Sequence, residues 1–159
     1  MFSFKKKNYF QFLFILSFIV LLSAYAIQYL LGYQPCSLCL IERIPYVFAI
    51  IILIINYQFR TYHVFYSVLL ILIFSFSFII SLYHFGIEQG FIEESSLCDS
   101  GNLELITKED ILNSFQKMRI SCKDVAFRIL GLSLTTYNIF ISLILILISI
   151  KTFLISNEK

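Results

Sequence analysis

Four cysteines are the residues of this chain whose spacing most narrows their chemistry. Cys36 and Cys39 form a Cys-x-x-Cys motif directly after Pro35, where the sequence predicts a helix start. A helix N-terminus favours the thiolate and lowers a thiol pKa. Residues three apart on a helix have Cβ atoms about 5–6 Å apart, whereas a disulfide wants about 3.5–4.5 Å. A bond closed across that gap is strained and readily reduced, and its tiny ring gives little loop-entropy stabilisation. The pair is suited to cycling rather than stapling. Cys98 and Cys122 enclose a long loop; a structural bond there would be worth roughly 3.5 kcal/mol. The residues alone leave that pair open between a staple and a second redox couple. Zinc held by all four thiolates is disfavoured by their unequal spacing and by the redox compartment argued below.

Two ionisable residues follow the motif at once, Glu42 and Arg43. Arg43 comes four residues after Cys39, one helical turn along on the same face. A fixed cation there would stabilise a thiolate; the plainer reading is an interfacial Arg paired with Glu42 or with a lipid phosphate. Ionisable side chains at membrane depth are functional candidates by default.

The elements that must position these residues are membrane helices. Of 159 residues, 59% are hydrophobic and 14% charged, against about 45–50% and about 25% in soluble domains. Lipid must take the excess. Tyr9–Leu31 is uncharged and longer than the ~20 residues that cross the hydrocarbon core. It also exceeds a signal-peptide apolar region and has no small-residue cleavage site after it, so it reads as a retained first helix. After the break at Gly32–Pro35, a second helix begins near Ser37, is adjusted by Pro45, and spans about 40–58. The third covers Val64–Tyr83 and the fourth Ile129–Ile150. The expectation is an all-α, four-transmembrane-helix bundle forming a single membrane domain over 1–159. It has a short redox loop (about 32–39) between helices one and two and a longer loop (about 84–128) between helices three and four. Tyr, at 10 residues with no Trp, must do the interfacial anchoring.

Orientation follows from Lys and Arg. Lys5, Lys6, Lys7, Arg60, Lys151 and Lys159 lie on the short segments 1–8, 59–63 and 151–159. The long loop is mainly acidic, with Glu88, Glu93, Glu94, Asp99, Glu104, Glu109, Asp110 and Asp124. The positive-inside rule puts both termini in the cytoplasm and both cysteine pairs outside, where thiols oxidise. Within the loop, Thr107-Lys108-Glu109-Asp110 reads as a helix start before Ile111, Phe115 and Met118, a short amphipathic helix lying on the membrane or in a small loop fold.

The stretch Pro35-Cys36-Ser37-Leu38-Cys39-Leu40-Ile41-Glu42-Arg43 resembles the first periplasmic loop of the disulfide bond formation protein B (DsbB) family. The resemblance continues through Tyr83-His84-Phe85-Gly86-Ile87-Glu88-Gln89-Gly90 and Cys98. It resumes at Cys122-Lys123-Asp124-Val125-Ala126-Phe127-Arg128 and at Gly131-Leu132-Ser133 to Asn138. Motif-level similarity covers about a third of the chain. Phe127 stands where relatives often carry Trp, and the chain reads as the short form, without an extra periplasmic domain.

The resemblance implies an inner-membrane disulfide oxidoreductase that reoxidises a DsbA-like periplasmic thioredoxin-fold protein, with no nucleic-acid partner. Cys98 would be attacked by the partner's thiolate, with Cys122 as its companion. Exchange through a Cys122–Cys36 bond would leave Cys39 as the thiolate facing a quinone, ubiquinone or menaquinone. Arg43, Glu42 and His84 are the implied quinone-side residues, His84 as a hydrogen-bond or proton donor just beyond helix three. The need for such an acceptor is energetic: DsbA sits near −120 mV and relaxed structural disulfides below about −300 mV, a gap of about 8 kcal/mol for two electrons. Two alternatives stand beside this reading. One is an enzyme resembling vitamin K epoxide reductase, in which the redox Cys-x-x-Cys comes late rather than first. The other is a non-enzymatic membrane scaffold pinned by a Cys98–Cys122 staple. Asn138, in helix four, is expected to make an interhelical hydrogen bond.

Overall fold

The computed structural model describes residues 2–58, 62–93, 122–123, 128–129 and 131–157. Its helices are α1 (Phe2–Tyr29), α2 (Ser37–Ile41), α3 (Ile44–Gln58), α4 (His63–Glu88) and α5 (Leu134–Asn157). They supply four segments long and apolar enough to cross a bilayer: Asn8–Tyr29, Ser37–Gln58, His63–Glu88 and Leu134–Asn157. The chain is an all-α, multi-pass membrane protein. The described β-structure is one two-residue antiparallel ladder, β1 (Arg128–Ile129) against β2 (Leu132–Ser133), with Arg128 opposite Ser133.

Each helix boundary has a local cause. Pro45 has no N–H to give the carbonyl of Ile41, and its ring crowds that carbonyl. Helix α2 accordingly ends at Ile41, and Glu42 and Arg43 form a turn whose amides go to the Leu38 (2.9 Å) and Leu40 (3.2 Å) carbonyls. Helix α4 runs to Glu88, past the Tyr83 boundary expected from hydropathy. It stops where Gly90 takes a left-handed φ of 75°. There the Gly90 amide reaches the Ile87 carbonyl (3.0 Å) and the Phe91 amide the Gly86 carbonyl (2.9 Å), the paired bonds of a Schellman stop. Helix α5 starts at Leu134 rather than Ile129, because Arg128–Ile129 and Leu132–Ser133 form the small ladder. The Ser133 hydroxyl then caps the helix by accepting the Thr136 amide at 3.3 Å.

The spans pack as a ring, α1 against α3, α3 against α4, α4 against α5 and α5 back against α1. Leu13, Ala49, Leu70, Phe74 and Leu145 fill its centre with no exposed surface. Small hydroxyl residues let the helices approach closely: Ser17, Ser67, Ser77, Ser81, Ser142 and Ser149 are all fully buried. Asn138 makes the expected interhelical bonds. It accepts from the Tyr46 hydroxyl on α3 and donates to Ser81 Oγ on α4 at 2.7 Å. The outer faces carry Phe12, Ile19, Phe48, Ile51, Leu72, Phe76, Phe140 and Leu147, all exposed and apolar, as lipid contact requires.

This antiparallel ring gathers the ends of α1 and α4 and the starts of α2 and α5 at one pole. At the other pole Phe10 stacks on His63, and the Lys151 ammonium lies over the Tyr9 ring. Cys98, Phe127 and the helix expected between Thr107 and Met118 lie outside the described residues.

Candidate functional site

At the first pole, Cys36 is the N-cap of α2, with extended backbone (φ −70°, ψ 171°). Its Sγ accepts the Cys39 amide at 3.2 Å, and the two sulfurs stand 2.7 Å apart as free cysteines. Cys122 is disulfide-bonded to a partner outside the described residues. It packs with Cys36, Leu38 and Ile87 in one buried cluster that Cys39 and Tyr83 border. Two loops distant in sequence thus deliver a dithiol and a disulfide to the same place.

His84 lies within α4, not beyond it, and is buried. Its Nε2 is 3.5 Å from Cys36 Sγ, while Nδ1 is 3.0 Å from Glu42 Oε1 and 3.3 Å from Thr135 Oγ1. Glu88, one turn further along α4, is half-buried as a residue but has a side chain only 5% exposed. Its carboxylate accepts hydrogen bonds of 2.6 Å from both Ser133 and Thr135, and its Oε1 is 3.9 Å from His84 Nε2. Glu42, on the turn that Pro45 creates, is 8% exposed. Its carboxylate can stand there because the His84 ring meets it. Arg43 faces the other way. Its guanidinium donates to Gln28 Oε1 and to the Ala24 carbonyl (3.5 Å), and sits 5.0 Å from the Tyr25 ring centroid.

A cavity of about 330 Å³ opens among these groups. Cys36, Cys39, Glu42, Arg43, His84, Glu88 and Cys122 are among the residues that line it. Val20, Leu21 and Ile27 of α1 and Ile141 of α5 make much of the remaining wall apolar.

The Cys36 thiol is held far below its ordinary range, to about 4. The hydrogen bond from the Cys39 side chain is the main cause. Burial opposes it, and contact with His84 adds to it. Iodoacetamide should therefore alkylate Cys36 of the reduced protein at a nearly constant rate from pH 8 down to pH 6, slowing only as pH approaches 4. An ordinary thiol, with a pKa of about 8.5, loses rate across that whole interval. Mass-spectrometric quantification of modified Cys36 against pH distinguishes the two profiles.

Of the residues singled out by sequence, Cys36, Cys39, Cys122, Arg43, Glu42 and His84 share this one cavity. Cys98 lies outside the described residues. Sequence reasoning did not assign roles to Glu88, Ser133, Thr135 or Gln28. Glu88 reads as a loop acid by charge alone, although its position four residues after His84, just before Gly90, carries the signal: helix through 88, both side chains on one face.

A membrane helical bundle with a dithiol and a disulfide at one pole is built for thiol–disulfide exchange. The family described as disulfide bond formation protein DsbB matches residues 6–152. The chain belongs to that family. It is also 32% identical over 135 residues to the uncharacterized protein RP370 of Rickettsia prowazekii (strain Madrid E), covering 83% of this chain and 78% of that protein. No solved structure matches it. Family membership makes the chain a membrane disulfide oxidoreductase of the disulfide-bond formation system.

Proposed function

We propose that this protein reoxidises a DsbA-like periplasmic dithiol and passes the electrons to a membrane quinone, ubiquinone or menaquinone. On this reading both termini lie in the cytoplasm and both cysteine pairs face the periplasm, in a bacterial inner membrane. The observation that carries it is the burial of Cys122, half of a disulfide, against Cys36 and Cys39 beside an apolar cavity.

Exchange proceeds by thiolate attack on disulfide sulfur. The partner's thiolate attacks Cys98, and Cys122 leaves as a thiolate. Cys122 attacks Cys36 of the Cys36–Cys39 disulfide and expels Cys39. The partner's second thiol closes its own disulfide and frees Cys98, which recaptures Cys122 and releases Cys36. The net result is one partner disulfide formed and a dithiol left at Cys36 and Cys39.

The cavity suits a quinone head group, because its wall is largely apolar and its polar groups converge on the thiols. A bound quinone supplies the sink for two electrons and two protons that restores the Cys36–Cys39 disulfide. Arg43 would hold its oxygen, with the guanidinium fixed by Gln28 and stacked on Tyr25. His84 shares a proton with Cys36 on the other side, and Glu42 orients the His84 ring.

The test is anaerobic oxidation of a reduced DsbA-like substrate by the purified protein, with quinone added or withheld. Multiple turnovers are expected only with quinone; equal turnover without it overturns the reading. Arg43→Lys should raise the KM for quinone at least several-fold while leaving exchange with the substrate intact, since Lys cannot reproduce the planar, stacked fork. Unchanged quinone kinetics in that variant would remove Arg43 from the site.

A further inference from the structure

We propose that the dithiol form of this site binds a thiophilic divalent cation, zinc above all, through Cys36 Sγ, Cys39 Sγ and His84 Nε2. This goes beyond the redox reading and requires neither quinone nor partner. It also differs from a site made by all four cysteines, which the spacing disfavours.

The three donor atoms lie within 4.8 Å of one another. Zn–S bonds of about 2.3 Å and Zn–N bonds of about 2.0–2.1 Å in a tetrahedron place S and N about 3.5 Å apart and the two sulfurs about 3.8 Å apart. Cys36 Sγ and His84 Nε2 are already 3.5 Å apart. The sulfurs, at 2.7 Å, must separate by about 1 Å. Cys39 can supply that movement, because it is only partly buried and borders the cavity.

The surroundings are those of a metal-binding histidine. A ligating imidazole commonly donates its second N–H to a carboxylate, which fixes the tautomer and orients the ring. Here His84 Nδ1 faces Glu42 Oε1 at 3.0 Å, so when the ring carries its single proton on Nδ1 the Nε2 lone pair is presented to Cys36 Sγ. The Cys39 amide already donates to Cys36 Sγ at 3.2 Å, an N–H that would stabilise a metal-bound thiolate. The charged groups around the site favour a cation: Glu42 and Glu88 flank His84, and Arg43 is turned toward Gln28 and Tyr25. All three ligand residues border the cavity, from which water would complete a tetrahedron.

Binding moves no electrons. Cys36 is already a thiolate near neutral pH, so the two S–Zn bonds form as Cys39 gives up its S–H proton; one proton leaves to solvent per ion when the imidazole is neutral, and two when His84 Nε2 is protonated. The Cys36–Cys39 disulfide has no thiolate to offer, so the cation selects the reduced form and withholds its electrons from the acceptor. Zinc would thereby act as a reversible brake on the reduced enzyme.

The experiment uses the full-length reduced protein in lipid nanodiscs. Zn²⁺ is titrated in competition with a chromophoric chelator, and Co²⁺ serves as a spectroscopic substitute. One ion per chain is expected, with a sulfur-to-cobalt charge-transfer band. Glu42→Gln should weaken binding about 10–100-fold, and His84→Ala by more. A Cys98→Ser, Cys122→Ser double variant should bind as tightly as the natural chain. Equal affinity in the natural chain after oxidation to the Cys36–Cys39 disulfide would overturn the proposal, and that sample does not depend on any variant folding. So would a His84→Ala variant with undiminished affinity. Failure of quinone-dependent turnover would leave these binding results untouched.

Discussion

Replacing Cys36 or Cys39 by Ala is expected to abolish quinone-dependent turnover of a reduced DsbA-like substrate while permitting a single exchange per molecule. On the proposed cycle the disulfide at Cys122 needs neither residue to accept electrons from the partner. A Cys39→Ala protein should therefore oxidise about one equivalent of substrate dithiol and then stop. Rapid acid quench and counting of substrate thiols separates that burst from steady turnover. Stability should change little, because a bond across three residues closes too small a ring to constrain the unfolded chain. Continued turnover in either variant would mean that the second pair reaches the acceptor directly, and the proposed order of transfer would fall. Were the loop disulfide only a staple, no burst would appear in any variant.

Much of this arrangement was legible in the sequence because lipid imposes a coarse rule: about twenty apolar residues per span, with every backbone group satisfied within its helix. The four spans and the Cys36-Ser37-Leu38-Cys39 helix start needed little more. The ends of the spans were harder. Hydropathy falls at His84, so α4 was expected to stop at Tyr83, yet helix geometry ends only where Gly90 can adopt φ 75°. Polarity and helix end coincide in a water-soluble loop but not here, since His84 and Glu88 are polar because they face a shared site. Their burial, and the hydroxyls of Ser133 and Thr135 that meet Glu88, arise from α5 packing on α4. No local pattern encodes that contact. Pro45 signals an adjustment of helix two; what the sequence does not reveal is that the resulting turn carries Glu42 inward to His84 while Arg43 faces α1.

His84→Ala is expected to make the Cys36–Cys39 couple less oxidising by about 30–60 mV. The sign follows from which state the histidine favours. Its ring contacts Cys36 Sγ at 3.5 Å and contributes to lowering that thiol to about 4, so it stabilises the reduced form. A couple whose reduced form is stabilised is a stronger oxidant. A hydrogen bond to a charged group contributes about 1.5–3 kcal/mol, and 30 mV corresponds to about 1.4 kcal/mol for two electrons. Losing it should also move the midpoint of Cys36 alkylation upward in pH, because the thiol then protonates more readily. Glu42→Gln keeps an oxygen for Nδ1 and removes the carboxylate, so its shift should have the same sign and a smaller size. Equilibration with a glutathione buffer and quantification of the Cys36–Cys39 disulfide measures the potential. If neither the potential nor the alkylation profile moves in His84→Ala, the ring merely fills space between α4 and α2. In that case the driving force toward the acceptor must come from the Cys39-to-Cys36 hydrogen bonds alone, because among the described residues no other side chain is placed to hydrogen-bond the Cys36 sulfur.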